Sequence, residues 1–283
     1  LLVVLYVAIP SLDRMTKKFY SGPQSVWISD PAFTLELNPE KKFVLLVASF
    51  RSGSTFVGQT FDHNPQFQYL FEPFHELGLT ELYKQGALVG ARTDHTVSDL
   101  RMLYLQQIMS NCRVYPTVVL EEQYKYCGTP EEHQHRFNTT KCDIKLLKEG
   151  FSVQEICKFR RVVAMKVIRL RDLSDLTKIA NIKTANVKIV HLVRHPFPMI
   201  LSRRPGLEFF MWNERTKVEW GRNNLHDQRI KAAWETYNYC YETLRSIDFI
   251  EKDPWWKEHY LRISHREMSL SPHRTAERIY DFI

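Results

Sequence analysis

The sequence predicts an α/β protein: a parallel sheet with flanking helices, broken by helical and loop excursions. Three observations predict it. Five short segments, residues 43–49, 67–71, 162–169, 187–193 and 260–264, are rich in Val, Ile, Leu, Phe or Tyr. Several are apolar almost without a break, the pattern of strands covered on both faces. Helical patterns follow them, and strands alternating with helices argue for a parallel sheet.

Taken in order, residues 56–62 start a helix after the first strand, and residues 67–71 form the second strand. Between residues 74 and 161 the strand signal fades. That stretch is polar, holds four of the five cysteines, and reads as an excursion that is helical around residues 97–109. Excursions of this kind often shape a cleft. Residues 172–180 read D-L-S-D-L-T-K-I-A, with Leu173, Leu176 and Ile179 three apart, and predict a helix. Residues 197–203 form a helix after the fourth strand. Residues 205–256, rich in Trp, Tyr, Arg and Asn, form a second excursion. Residues 275–283 form the last helix.

The chain has 283 residues, a formal net charge of +7 and 44% hydrophobic residues. That suits one large domain or two small ones. The basic excess suggests an anionic partner, and a solvated basic surface with no role explains it equally well. Residues 1–9 read L-L-V-V-L-Y-V-A-I, too few to cross a bilayer, which takes about twenty. They read as the trailing end of a signal anchor or as a buried strand, and Pro10 with the polar, basic stretch after it favours the anchor. Residues 10–40 read as a stem, broken by Gly22, Pro23, Pro31 and Pro39. Residues 41–283 are the expected globular domain.

No cysteine belongs to a C-x-x-C pair, so a zinc site of ordinary spacing is not expected, nor any other metal. Cys112, Cys127, Cys142 and Cys157 lie close together in sequence. They suit disulfides in an oxidising compartment, or four buried thiols. Asn138-Thr139-Thr140, between them, is a glycosylation sequon. Sequon, cysteines and anchor together point to a secretory lumen.

Chemistry concentrates in two stretches. Residues 41–59 read K-K-F-V-L-L-V-A-S-F-R-S-G-S-T-F-V-G-Q. A buried strand, a turn with one glycine and a helix make an anion site. The first helical N–H groups lack internal partners and the helix dipole adds positive charge. Ser52, Ser54 and Thr55 add hydroxyls, Arg51 adds a planar cation, and Gly53 lets the backbone approach a ligand closely. The nucleotide loop G-x-x-x-x-G-K-[ST] is not matched, which disfavours a kinase or NTPase. Without a ligand the same stretch is simply a polar turn. Residues 187–204 read V-K-I-V-H-L-V-R-H-P-F-P-M-I-L-S-R-R. Here Arg194 ends a strand and Ser202 lies two turns into a helix, so the pair can grip a phosphate from two sides. In a parallel sheet both strand ends open on one crevice, which implies a ligand with two separated phosphates. Alternatively Arg194 makes a surface ion pair and Ser202 is a solvated hydroxyl.

F-R-S-G-S-T-F-V-G-Q and L-V-R-H-P-F-P-M-I-L-S-R together resemble motifs of the sulfotransferases, most closely the Golgi carbohydrate 6-O-sulfotransferases. The likeness continues through Tyr69-Leu70-Phe71-Glu72-Pro73 and A-M-K-V-I-R at residues 164–169, and weakly to R-I-Y-D-F near the end, so it spans residues 41–283. It implies a P-loop-like sulfotransferase fold. It also implies sulfuryl transfer from 3′-phosphoadenosine 5′-phosphosulfate to a sugar 6-hydroxyl of a glycan or glycosaminoglycan, without a metal. The enzyme would be anchored in the Golgi membrane as a single-pass type II protein with its catalytic domain in the lumen. The resemblance assigns the 5′-phosphosulfate to Arg51, Ser52, Gly53, Ser54, Thr55, Phe56 and Val57, and the 3′-phosphate to Arg194 and Ser202. The chain departs from the family at His195, where Asp is usual, and at Phe197, where Arg is frequent. Residues Ser264-His265-Arg266-Glu267-Met268 stand where R-Y-E-D-L is usual. The chain stops within the last helix of the family pattern, so a further C-terminal element is expected.

Catalysis then needs donors for the departing phosphate oxygen and a base for the acceptor hydroxyl. Arg51 is the candidate for the first. Glu72 is the candidate base, held extended by Pro73 and raised in pKa by a partly dry cleft. His75 is its rival, and an ion pair with Lys166 or Arg169 is the other use for Glu72. Lys166 and Arg169, three apart on a strand, are expected to point to opposite faces. Trp212, Trp220 and Arg222 are candidates to hold a glycan, or are core. A non-catalytic, basic glycan-binding or nucleic-acid-binding module is the second class. The charge is not gathered in the Lys/Arg runs it would favour, and no nucleic-acid partner is expected.

Overall fold

The computed structural model describes residues 40–64, 66–74, 96–113, 153–179, 181–203 and 225–283. These all belong to a compact unit, Leu35–Ile283. Residues 1–39, His75, Cys127, Asn138, Cys142, Trp212, Trp220 and Arg222 lie outside the described residues.

Five strands, β1 (Lys42–Ala48), β2 (Phe67–Phe71), β3 (Val162–Val167), β4 (Asn186–Val193) and β5 (Tyr260–Ser264), form one sheet in the order β2-β3-β1-β4-β5. Every pairing is parallel, as the near-continuous apolar strands predict. β1 sits in the middle, with Leu46 opposite Lys166 on one side and Val190 on the other. Side chains alternate across the sheet. Val44, Leu46 and Ala48 join Val57 and Phe61 of α1 (Ser54–Asp62) in one apolar cluster. Phe43 and Leu45 are buried on the other face. Burying a side chain such as Phe61 contributes about 2 kcal/mol. Gly58 lets α1 lie close on the sheet, since a Cβ there would stand 2.0 Å from the Tyr69 hydroxyl.

The expected strands and four of the expected helices are present within a few residues: α1, α2 (Val97–Asn111), α4 (Pro196–Arg203) and the last helix, α8 (Pro272–Phe282), which a short unexpected helix, α7 (His265–Leu270), precedes. Two expectations need correction. Residues 172–180 are not an α-helix but a 3-10 helix, Leu173–Lys178, followed by another, Ile182–Thr184. A spacing of three is the 3-10 period, so Leu173 and Leu176 stack on one buried face. β3 ends at Val167, two residues short of Arg169. The first excursion also contains α3 (Val153–Phe159), and the second contains α5 (Leu225–Glu251) and α6 (Pro254–Glu258). The mixed polar and aromatic composition of α5 hid its helical period.

A disulfide joins Cys112, at the end of α2, to Cys157 in α3. Cys240 is a free thiol, half-buried. The Lys41 ammonium closes the C-terminal end of α3 by donating to the carbonyls of Lys158 (3.2 Å) and Arg160 (2.7 Å). Among the described residues no helix is long and apolar enough to cross a membrane.

Candidate functional site

The first anion loop follows from β1. Ser49 and Phe50 leave the sheet, Arg51 turns left-handed (φ 63°), and Gly53 does so again (φ 94°). Ser52 N–H donates back to the Ser49 carbonyl at 3.2 Å, which closes the turn. A left-handed arginine costs about 1–2 kcal/mol, strain of the kind found at ligand sites. α1 starts at Ser54 without a side-chain cap. The amides of Phe56 and Val57 bond the Gly53 carbonyl, and the Val57 side chain is in the core. Both amides are thus engaged in the first turn of the helix, while the Phe56 side chain is exposed. The available amides precede them.

The second loop leaves β4 at Val193. Arg194 is braced by Tyr239 of α5, whose hydroxyl accepts from the Arg194 amide (3.0 Å) and donates to its carbonyl (2.8 Å). His195 Nδ1 accepts from the Phe197 amide at 3.3 Å and so acts at the start of α4 as a capping side chain. An imidazole thus performs there the role open to the usual aspartate.

The two loops meet. Arg194 Nη1 donates to the Arg51 carbonyl (2.8 Å), and Arg51 Nε donates to Ser202 Oγ (3.1 Å). Ser202, expected to grip an anion with Arg194, also accepts from Arg51, so one hydroxyl ties the second loop to the first. Burial first, and the like charge of Arg51 second, pull the Arg194 guanidinium below its ordinary pKa. Two adjacent cations in a shared crevice favour an anion between them. Two buried polar atoms there have no partner: the Ser52 hydroxyl, on a fully buried residue, and Arg194 Nε. Unpaired buried donors are uncommon because each costs free energy. A phosphate or sulfate oxygen supplies the missing acceptor, so the residues fit a phosphorylated donor.

Glu72 follows β2 and is 8% exposed. Its Oε1 lies 2.8 Å from Lys166 Nζ and its Oε2 lies 2.8 Å from Arg169 Nη1. Three expectations fail here. Glu72 is left-handed (φ 45°), not extended, because β2 has ended and two ion pairs over-determine the turn. Its pKa is lowered, not raised: burial pushes it up, but Lys166 and Arg169 together outweigh that. Nor do Lys166 and Arg169 face opposite ways, since the chain leaves the strand between them and both reach one carboxylate. Lys166 is the residue whose importance spacing concealed. It also donates to Thr55 Oγ1 at 3.1 Å, so one buried ammonium joins the first loop to Glu72. His265, the first residue of α7, was likewise missed, and its ring packs against Gly53. Its only sequence signal was the departure from R-Y-E-D-L. Among the described residues no cluster of His, Cys, Asp and Glu is arranged to hold a metal.

The family model described as "Sulfotransferase family" matches residues 44–283. Carbohydrate sulfotransferase 1 of Danio rerio is 25% identical over 314 residues, covering 97% of this chain and 67% of that protein. Carbohydrate sulfotransferase 1 of Homo sapiens is 26% identical over 279 residues, covering 89% and 66%. The chain thus spans about two thirds of the length of these curated relatives. Among solved structures, a sulfotransferase domain from the curacin biosynthetic pathway is 18% identical, with a TM-score of 0.46, and covers 86% of this chain and 73% of that one.

Proposed function

The chain belongs to the sulfotransferase family, and we propose that it transfers a sulfuryl group from 3′-phosphoadenosine 5′-phosphosulfate to a hydroxyl of a glycan. The observation that carries this reading is the Arg51–Ser202 hydrogen bond, which makes two anion loops into one crevice. The orphaned Ser52 hydroxyl and Arg194 Nε provide donors inside it.

The donor supplies an activated sulfur whose bond to the 5′-phosphate oxygen breaks as a new bond to the acceptor oxygen forms. This chain's residues do the rest. Arg51, the Ser52 hydroxyl and the amides before Phe56 stabilise charge on the departing oxygen. Arg194 holds the other phosphate. Glu72 is ionised at neutral pH, because its pKa is low. Each of its oxygens has one cation partner at 2.8 Å and a lone pair left for an acceptor hydroxyl. It orients that hydroxyl, accepts its proton as the new bond forms, and passes the proton to solvent. Lys166, between Thr55 and Glu72, fixes the carboxylate against the loop.

The finer reading is a sugar 6-hydroxyl, supported by the likeness of both loops to the 6-O-sulfotransferases. It extends to a Golgi enzyme with residues 1–9 as the end of a type II anchor, residues 10–40 as stem, residues 41–283 as catalytic domain and Asn138 glycosylated. The Cys112–Cys157 disulfide supports an oxidising compartment. Labelled donor offered with keratan, chondroitin and N-acetylglucosamine acceptors tests the activity. Transfer to at least one supports it, and donor binding without transfer to any favours the non-catalytic glycan-binding module.

A further inference from the structure

One side chain beside this crevice has no part in the mechanism above. His265 is fixed at the start of α7 by a capping box: Ser264 Oγ accepts from the Glu267 amide (3.1 Å) and Glu267 accepts from the Ser264 amide (2.7 Å). Its ring lies where a side chain on residue 53 would begin. A Cβ on Gly53 would stand 2.5 Å from Cδ2 and 3.1 Å from Nε2. The Cδ2–Nε2 edge therefore faces the bend of the first anion loop at Gly53.

The far side of the ring fixes its tautomer. The Ser269 hydroxyl donates its single hydrogen to the His265 carbonyl at 2.8 Å, so at Nδ1, 3.2 Å away, it accepts. The imidazole hydrogen is on Nδ1, and Nε2 of the neutral ring is a bare acceptor. A bare acceptor repels an anion, whereas a protonated nitrogen donates to one. The charges around the ring decide when it protonates. Arg194 acts on it from the second loop, and Arg51 lies hydrogen-bonded beyond Arg194. Gly53 faces it from the first loop without charge. On its own helix Glu267 is engaged by Arg278 and the Ser264 amide. Burial, then Arg194, hold the ring below its ordinary pKa. An anion placed between the two cations reverses that balance.

We infer that His265 is an anion-binding residue of the donor site, whose Nε2 takes one proton from solvent when a nucleotide phosphate or sulfate group enters the first loop, and then donates to that group. This rests on the reading that the loop holds a nucleotide donor. Proton and nucleotide bind together, so affinity rises as pH falls, by up to about tenfold per unit between the free and bound pKa values.

The full chain is titrated with adenosine 3′,5′-bisphosphate at pH 6.5 by calorimetry, in two buffers of different ionisation enthalpy. The protons taken up per nucleotide are compared with those of His265→Gln, which keeps an amide at the same place. The wild-type chain should take up more, by about half a proton or above. A second readout needs no variant: the His265 ring signals in NMR should titrate at a higher pH once nucleotide is added. Equal proton counts, or a ring midpoint that nucleotide does not raise, overturn the role of His265 while leaving the donor site standing. No nucleotide binding by the wild-type chain overturns both.

Discussion

Arg51 Nε donates to Ser202 Oγ at 3.1 Å, a contact between residues 151 positions apart. The hydroxyl fixes the direction of the guanidinium, and Arg194 fixes the backbone beneath it by donating to the Arg51 carbonyl. Ser202→Ala should weaken adenosine 3′,5′-bisphosphate binding about fivefold, the worth of one ordinary hydrogen bond. Arg194→Ala removes a charge as well and should weaken binding about 30-fold or more. Calorimetric titration checks both. Equal, negligible effects would mean that the second loop holds no part of the nucleotide.

Glu72→Gln should lower turnover about 100-fold or more, the usual worth of a positioned base, with nucleotide affinity kept. It also leaves the Lys166 ammonium, 3% exposed, short of a counter-charge. Breaking such a pair costs about 3 kcal/mol. Glu72→Gln combined with Lys166→Met should recover much of that stability and none of the activity. A double variant as unstable as the single one would show that Lys166 is satisfied without Glu72.

Both strand–loop–helix units were legible in the sequence because a parallel sheet needs continuous apolar strands, and Gly53 and Arg194 punctuate their ends. What stayed hidden was contact across the chain. Tyr239 braces Arg194 from 45 residues away, on a helix whose polar and aromatic residues obscured its period. Lys166 and Arg169 were assigned opposite faces because strand alternation was carried past Val167, where the strand ends. Glu72 was expected to have a raised pKa because a partly dry cleft was weighed against a single ion pair, whereas Lys166 on β3 and Arg169 just beyond it both reach the carboxylate.

Gly53→Ala should destabilise the fold by about 1–2 kcal/mol, since a φ of 94° strains any residue with a Cβ. The new methyl also displaces the His265 ring. Nucleotide binding should fall further than stability does, because the loop amides lose their arrangement. A thermal melt with and without nucleotide separates the two effects.

His191, 6% exposed, has its pKa lowered by burial, and secondarily by Arg262, to about 4. Its Nδ1 lies 2.8 Å from the Tyr260 hydroxyl. Neutral in the fold and protonated when unfolded, it costs stability as pH falls from about 6.5 towards 4, by about 3 kcal/mol in all. Glu72, with its lowered pKa, keeps its contribution above the ordinary carboxylate value near 4 and loses it only below that. Denaturant midpoints from pH 7 to pH 4 should therefore decline first through His191, and His191→Gln should flatten that part of the curve. An undiminished slope in the variant would assign the decline to other groups.

Thermal unfolding of the full chain in the presence of adenosine 3′,5′-bisphosphate tests the shared anion crevice most directly. At a hundredfold excess over a micromolar Kd the midpoint should rise by about 5–10 °C, and adenosine 5′-monophosphate, which lacks the phosphate for Arg194, should raise it far less. An unchanged midpoint at millimolar bisphosphate, or equal shifts with both nucleotides, would contradict a site in which Arg51 and Arg194 serve one ligand.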